Sequence, residues 1–168
     1  PVNRSTPHQS TDQPITNHQS PINQSPTPPI PMPSTIALKW LESQLMAGVD
    51  SFGHPIVIGS WPEKEPEWAG LKPSDLLLLS AASCSAYDVI KILLKQREPL
   101  EGLEVQCTGE QEPDPPYKFT KIHLHYKIAG LVNITKLERA IYLSQEKYCS
   151  VVNTLKPVVE ITCDYELV

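Results

Sequence analysis

The sequence has few cysteines, and none of them has a spacing typical of a metal or redox motif. The four cysteines, at positions 84, 107, 149 and 163, are too few and too far apart for the disulfide framework of a small secreted protein. No CxxC pair and no Cys/His combination with zinc spacing occurs in the 168 residues. We therefore expect no metal and no organic cofactor. The role of each cysteine then depends on the residues around it.

Long apolar runs and an excess of positive charge are also lacking. No apolar run reaches the roughly 18 residues of a membrane span, and the N-terminus has no apolar stretch of the kind that marks a secretory signal. The formal net charge is −5, from 14 Lys and Arg against 19 Asp and Glu. Such an acidic chain offers no electrostatic surface to nucleic acid or to an anionic membrane. We expect a cytoplasmic protein with neither of these partners.

Proline and apolar residues are unevenly shared along the chain. Residues 1–34 contain nine of the 18 prolines, many Ser, Thr, Asn and Gln, and no periodic apolar face. A segment of this composition cannot bury enough apolar surface to fold. We therefore predict a disordered tail over residues 1–34, acting as a linker or as an extended recruitment segment, and a folded domain over residues 35–168.

The domain begins and ends with patterns typical of strands. Three short strands bounded by turn formers are predicted within residues 35–60. Apolar and polar residues alternate in residues 103–110, 118–130 and 158–168, as they do on half-buried strands.

Two helices are predicted between these strands. Pro73 and Ser74 open a helix that runs to about Arg97 and is apolar almost all round over its first four turns, which predicts burial on every side. Thr135 and Glu138 match a capping box that begins a second helix of about 14 residues. The element order predicts an α+β domain whose helices pack on one side of an antiparallel sheet.

The four cysteines are predicted to be of two kinds. Cys107 and Cys163 lie on the apolar faces of alternating strands, where a thiol is an ordinary core residue. Cys84 lies halfway along the first helix among small residues, in SAASCSA, and Cys149 lies at the end of the second helix, in EKYCSV. The residues alone leave both a core role and a reactive role open for Cys84 and Cys149.

Two further groups of residues have an ordinary explanation and a functional one. His123 and His125 share a strand face with lysines, so we expect solvated side chains there and not metal ligands. The tryptophans can line an apolar ligand site or simply pack against the core, and packing is the more usual role. The three tryptophans are Trp40, Trp61 and Trp68.

Three segments together resemble the OsmC/Ohr family, osmotically induced protein C and organic hydroperoxide resistance protein, and in particular its YhfA-like branch. They are WLESQLMAGVDSFGHPIVIGS, LKPSDLLLLSAASCSAYDVIKIL and LSQEKYCSVVNTLKPVVEITCDYEL. The resemblance covers about residues 35–168. It implies an intertwined homodimer with a long buried central helix, in which each active site is built from both chains.

The resemblance also implies an activity, that of a thiol peroxidase. Cys84 corresponds to the nucleophile that attacks an organic hydroperoxide and becomes a sulfenic acid, and Cys149 to the residue that resolves it as a disulfide. An external dithiol would then reduce the Cys84–Cys149 bond. The alternative is a noncatalytic dimer of the same fold that binds a small hydrophobic ligand.

The chain departs from the family pattern around the nucleophile. Family peroxidases carry an arginine in the N-terminal strands and a glutamate ten residues before the first cysteine, whereas residues 35–60 contain no arginine. Ser74 occupies the glutamate position, with Asp75 beside it, and both are possible supporting residues. Asp88 is the third possible supporting residue; it lies one helical turn after Cys84, where an unpaired carboxylate disfavours a thiolate. We expect Cys84 to react more slowly than the cysteine of the arginine-bearing members.

Overall fold

The computed structural model describes residues 33–60 and 69–168. Thr35–Val168 forms one compact unit. Trp61 and Trp68 lie outside the described residues, as does the tail up to residue 32, so the expectations for them remain predictions.

A three-stranded antiparallel sheet opens the domain, in the order β1-β2-β3. The strands are β1 (Ala37–Glu42), β2 (Leu45–Val49) and β3 (Pro55–Ile58). Asp50 closes the turn between β2 and β3, because its Oδ1 accepts the backbone N–H groups of Phe52 and His54, each at 2.8 Å. The three predicted strands are thus confirmed.

The long helix α1 (Pro73–Lys95) is buried on one face only. Proline at its start has no N–H to leave unpaired, and the chain leaves the helix at Arg97, which has φ 57°. On its other face, the residues Leu79 and Tyr87 are 53% and 67% exposed. The prediction of burial on every side is therefore wrong for a single chain, because the described residues cover one face of α1 and leave the other open. The buried residues of α1 are Ala81, Ala82, Ser85, Val89 and Leu93.

The apolar character of α1 also bears on the membrane question. By length and composition α1 can cross a membrane, a test that the core helix of a water-soluble protein also passes. The expectation that no apolar run reaches about 18 residues is corrected by α1. Its small and polar residues interrupt the run, but they leave the mean hydropathy of the helix as high as that of a membrane span.

A second three-stranded sheet, in the order β4-β5-β6, forms the main wall of the core. Its strands are β4 (Gly102–Gln111), β5 (Phe119–Ala129) and β6 (Glu160–Leu167). The predicted inward face of β5 is confirmed, with every member fully buried: Ile122, Leu124, Tyr126 and Ile128. β4 and β5 are antiparallel, but β6 runs parallel to β5. The expectation of a wholly antiparallel sheet therefore fails at β6, because a helical crossover between β5 and β6 returns the chain to the same end of the sheet.

That crossover consists of α2 (Ile134–Leu143), a π-helical turn (Ser144–Tyr148) and α3 (Ser150–Leu155). Asn133, and not Thr135, caps α2, because the Asn133 Oδ1 accepts the N–H of Lys136 at 3.1 Å. The predicted capping box is thus wrong by two residues. The single predicted helix of about 14 residues is replaced by an α-helix that widens into the π-turn and breaks at Cys149.

Candidate functional site

Cys84 and Cys149, 65 positions apart in the sequence, lie side by side in the fold. Their sulfur atoms and a carboxylate oxygen of Asp88 all lie within 4.8 Å of one another. Cys84 is partly exposed, on the middle of α1, and Cys149 is fully buried. The fold therefore brings together a reachable thiol, a protected thiol and an acid.

The π-turn and α3 together fix the position of Cys149. Its N–H donates to the Ser144 carbonyl at 3.0 Å, which closes the π-turn. Its Sγ accepts the N–H of Val152 at 3.4 Å and so caps α3. Its carbonyl accepts the Asn153 side-chain amide at 2.9 Å. π-Turns are rare and occur often at functional sites, and this one places the sulfur of Cys149 against α1.

The surroundings of Cys149 keep it protonated. Burial first, and then the contact with Cys84, raise the pKa of the Cys149 thiol to about 12, although the Val152 N–H acts in the opposite direction. The Sγ of Cys84 lies 4.0 Å from the Ser150 hydroxyl at the start of α3. Near neutral pH the buried sulfur of Cys149 is therefore a thiol.

A buried polar network lies directly beneath the two cysteines. Ser85 Oγ is hydrogen bonded to Tyr126 OH at 2.6 Å and to Ser144 Oγ at 2.9 Å. The Gln145 amide donates to both Ser85 Oγ and Tyr126 OH, at 3.2 and 3.0 Å. Ser144 Oγ also lies 3.4 Å from Asp88 Oδ2. The network therefore ties the middle of α1, β5 and the π-turn together at the point where the cysteines meet.

Sequence reasoning missed this network, although two of its members left a trace. Ser85 directly follows Cys84 within the apolar helix, and Tyr126 was expected on the inward face of β5. Burial raises the pKa of the Tyr126 hydroxyl to about 12, so it remains a neutral hydrogen-bonding group. No local pattern indicated that Ser144 and Gln145 would join them, because the π-turn that aims both residues inward has no sequence signature.

Ser74 and Asp75 are not brought to the cysteines within one chain. They lie ten and nine residues before Cys84 in the same helix, which is about 14 to 15 Å along its axis at 1.5 Å per residue. Asp75 instead lies 3.8 Å from the Lys72 ammonium, and it lines an open cavity of about 330 Å³. Asp88 is thus the carboxylate of the described chain that reaches the cysteine pair.

The two remaining cysteines differ from each other. Cys107 packs against the core from β4, as expected. Cys163 is exposed, and the expectation of a core residue is wrong for it, because β6 is an edge strand with an uncovered cavity beside it. That cavity, of about 490 Å³, lies between α2 and β6 and is lined by apolar atoms of Ile141, Tyr142 and Tyr165.

Comparison with known proteins identifies the family. The family model described as OsmC-like protein matches residues 64–164. The chain is 38% identical over 133 residues to Protein YhfA of Escherichia coli K12, a match that covers 78% of this chain and 96% of that protein. The chain belongs to the OsmC family. The resemblance seen in the sequence and the α+β OsmC-like fold are therefore both confirmed.

Solved structures agree with this assignment. A hypothetical protein from Aquifex aeolicus VF5 superposes on this OsmC-family chain with a TM-score of 0.73 and 30% identity, covering 82% of this chain and 97% of its own. An organic hydroperoxide resistance protein OsmC from Legionella pneumophila has a TM-score of 0.60 at 17% identity, covering 80% and 97%. At that identity the second likeness shows the fold alone.

Proposed function

We propose that this OsmC-family protein is a cysteine-dependent peroxidase that reduces organic hydroperoxides. The observation that carries the proposal is the approach of Cys84 and Cys149, whose sulfur atoms are close enough for a modest movement to join them. A disulfide needs about 2.05 Å between the sulfurs, so the gap to close is less than about 3 Å. Family membership supports the same reading.

The proposed cycle has three steps. The Cys84 thiolate attacks the distal oxygen of the hydroperoxide, the O–O bond breaks, and the departing alkoxide takes a proton and leaves as an alcohol. The Cys149 thiol then attacks the Cys84 sulfenic acid, forming the disulfide and releasing water. An external dithiol reduces the disulfide, returning two thiols and becoming a disulfide itself.

The geometry gives the two thiols different roles. Cys84 is partly exposed, so it is the more accessible of the two thiols to a hydroperoxide. Cys149 is buried and protonated, which protects it from direct oxidation until Cys84 carries the sulfenic acid. The absence of arginine from residues 35–60 supports slow turnover.

A homodimer is part of the proposal, because residues 33–60 and 69–168 of one chain leave large apolar surfaces uncovered. Every residue of β1 is exposed, and β1, β2 and β3 contact one another far more than they contact the described helices or the second sheet. Trp40 is 68% exposed on this sheet. Proteins of this family are generally dimeric, and a second copy would cover both this sheet and the open face of α1.

The test is a count of thiols after oxidation. Titration of the full chain with cumene hydroperoxide should consume two of the four thiols, and peptide mapping should find them as a Cys84–Cys149 disulfide. The matched control Cys107→Ser should still lose two thiols, whereas Cys149→Ser should lose one and then overoxidise irreversibly at Cys84. An unchanged thiol count, or a disulfide between other cysteines, would contradict the proposal.

A second candidate function is the binding of a small hydrophobic ligand, without catalysis. The cavity between α2 and β6 favours it, since its volume of about 490 Å³ lies within the range of small-molecule sites. A fluorescent apolar probe that binds one per chain, together with no loss of thiols on treatment with hydroperoxide, would favour this function over the peroxidase.

A further inference from the structure

A cluster of nitrogen and oxygen donors lies on the outer face of the second sheet, on the side of β5 away from the core. His123 and His125 are two residues apart on β5 and so project from the same face. The parallel register places Asp164 of β6 directly beside His125. One donor atom from each of the three side chains lies within 4.8 Å of the other two.

We propose that His123, His125 and Asp164 form a binding site for a divalent transition-metal ion of the zinc type. His123 Nε2 lies 3.2 Å and His125 Nδ1 lies 2.5 Å from the same oxygen, Asp164 Oδ1. Around a tetrahedral zinc, with ligand bonds of about 2.0–2.1 Å, neighbouring donors lie roughly 3.3 Å apart. The first distance already has this value, and the second needs an opening of less than about 1 Å.

The second nitrogen of each ring also has its own acceptor. His123 Nδ1 lies 2.8 Å from the Thr162 hydroxyl, and His125 Nε2 lies 3.4 Å from a carboxylate oxygen of Glu166. Glu166 is in turn paired with Lys127 at 3.3 Å. Each neutral ring can therefore carry its hydrogen on the outer nitrogen and present a lone pair toward Asp164. Metal-binding histidines show this arrangement, in which a partner of the other nitrogen fixes the orientation of the ring.

The donor set and its exposure select the kind of ion. Two imidazoles and one carboxylate suit zinc, copper or nickel, whereas magnesium and calcium prefer oxygen donors alone. The side chains of His123 and Asp164 are 36% and 61% exposed, so an ion can enter directly and complete its coordination with water. The site is separate from the two cysteines, which lie on the inner side of the same sheet.

The test is zinc titration by calorimetry on the full chain carrying Cys84→Ala and Cys149→Ala, which removes the only other donor cluster of the described residues. We expect one zinc ion per chain and no heat with magnesium. Asp164→Asn and His125→Gln should each weaken zinc binding at least about tenfold. His54→Gln is the matched control, because His54 is also an exposed histidine bonded to a carboxylate, at 2.8 Å from Asp50. It should leave the affinity unchanged.

A further variant separates metal binding from ordinary surface pairing. Thr162→Val keeps all three ligands and removes only the partner of the His123 Nδ1, and it should weaken zinc binding about tenfold with an unchanged unfolding midpoint. Cobalt bound in place of zinc should show no thiolate-to-metal charge-transfer band. Absence of zinc binding at micromolar concentration, or binding that is equally strong in Asp164→Asn and His125→Gln, would overturn the proposal.

Discussion

Replacing Asp88 by asparagine tests whether the acid beside the cysteine pair restrains Cys84. The carboxylate of Asp88 lies within 4.8 Å of both sulfur atoms, so a thiolate formed on Cys84 meets a like charge at short range. Asparagine has the same shape, and its side-chain oxygen can keep the hydrogen bond with Ser144. The substitution therefore removes charge with little change in packing.

The size of the effect follows from Coulomb's law. Two unit charges 4.8 Å apart interact by about 0.9 kcal/mol in water and by about 3.5 kcal/mol at an effective dielectric constant of 20. Expressed as ratios, these energies correspond to factors of roughly five to 400, which bound the gain when the Cys84 sulfur reacts as an anion without this repulsion. Because a less basic thiolate is also a weaker nucleophile, about half of the logarithmic gain survives in the rate. We expect alkylation of Cys84 at pH 7 to accelerate roughly two- to twentyfold, nearer the lower figure because Asp88 is half-exposed.

The assay is the rate of iodoacetamide labelling of Cys84, followed by mass spectrometry of its peptide. Asp75→Asn is the matched control, since Asp75 lies about 14 Å from Cys84 along α1, beyond the roughly 10 Å over which exposed charges act at 0.1 M salt. It should leave the rate unchanged. If Asp88→Asn is unchanged or slower, the carboxylate does not repel the thiolate, and a slower rate would instead identify Asp88 as the base that takes the thiol proton.

Three further predictions follow from the fold. Asn133→Ala should lower the free energy of unfolding by about 1 kcal/mol in urea titration, whereas Thr135→Ala, at the position of the incorrectly predicted cap, should change it by much less. Tyr126→Phe should cost about 1–3 kcal/mol with an unchanged m-value, because it removes a hydroxyl from the buried network beside Gln145; a change below 0.5 kcal/mol would show that the network is not stabilising. Because folding raises the pKa of Cys149 from its ordinary value near 9 to about 12, stability should be full below about pH 9 and fall as the pH rises toward 12. Cys149→Ser should make the alkaline decline shallower, and an identical decline in both proteins would contradict the burial of the thiol.

The periodic parts of the fold could be read from the sequence. The alternation around Tyr126 predicted the buried face of β5, and the apolar run beginning at Pro73 predicted α1, because side-chain direction repeats every two residues in a strand and about every 3.6 in a helix. The start of α2 was misplaced since Asn133 and Thr135 are both good caps, and the local pattern does not decide between them. The direction of β6 depended on the length and path of the crossover.

The sequence was enough to predict the six strands, the helix α1 and, through the three quoted segments, the family. The family resemblance implied that Cys84 and Cys149 meet, but only the packing of the π-turn against α1 shows them together with Asp88. Only the parallel register of β5 and β6 shows that Asp164 joins His123 and His125. Periodicity fixes the directions of side chains within one element, whereas the distance between residues on different elements is set by how those elements pack. Packing also decided the exposure of α1 and Cys163, because burial depends on which surfaces the rest of the chain covers.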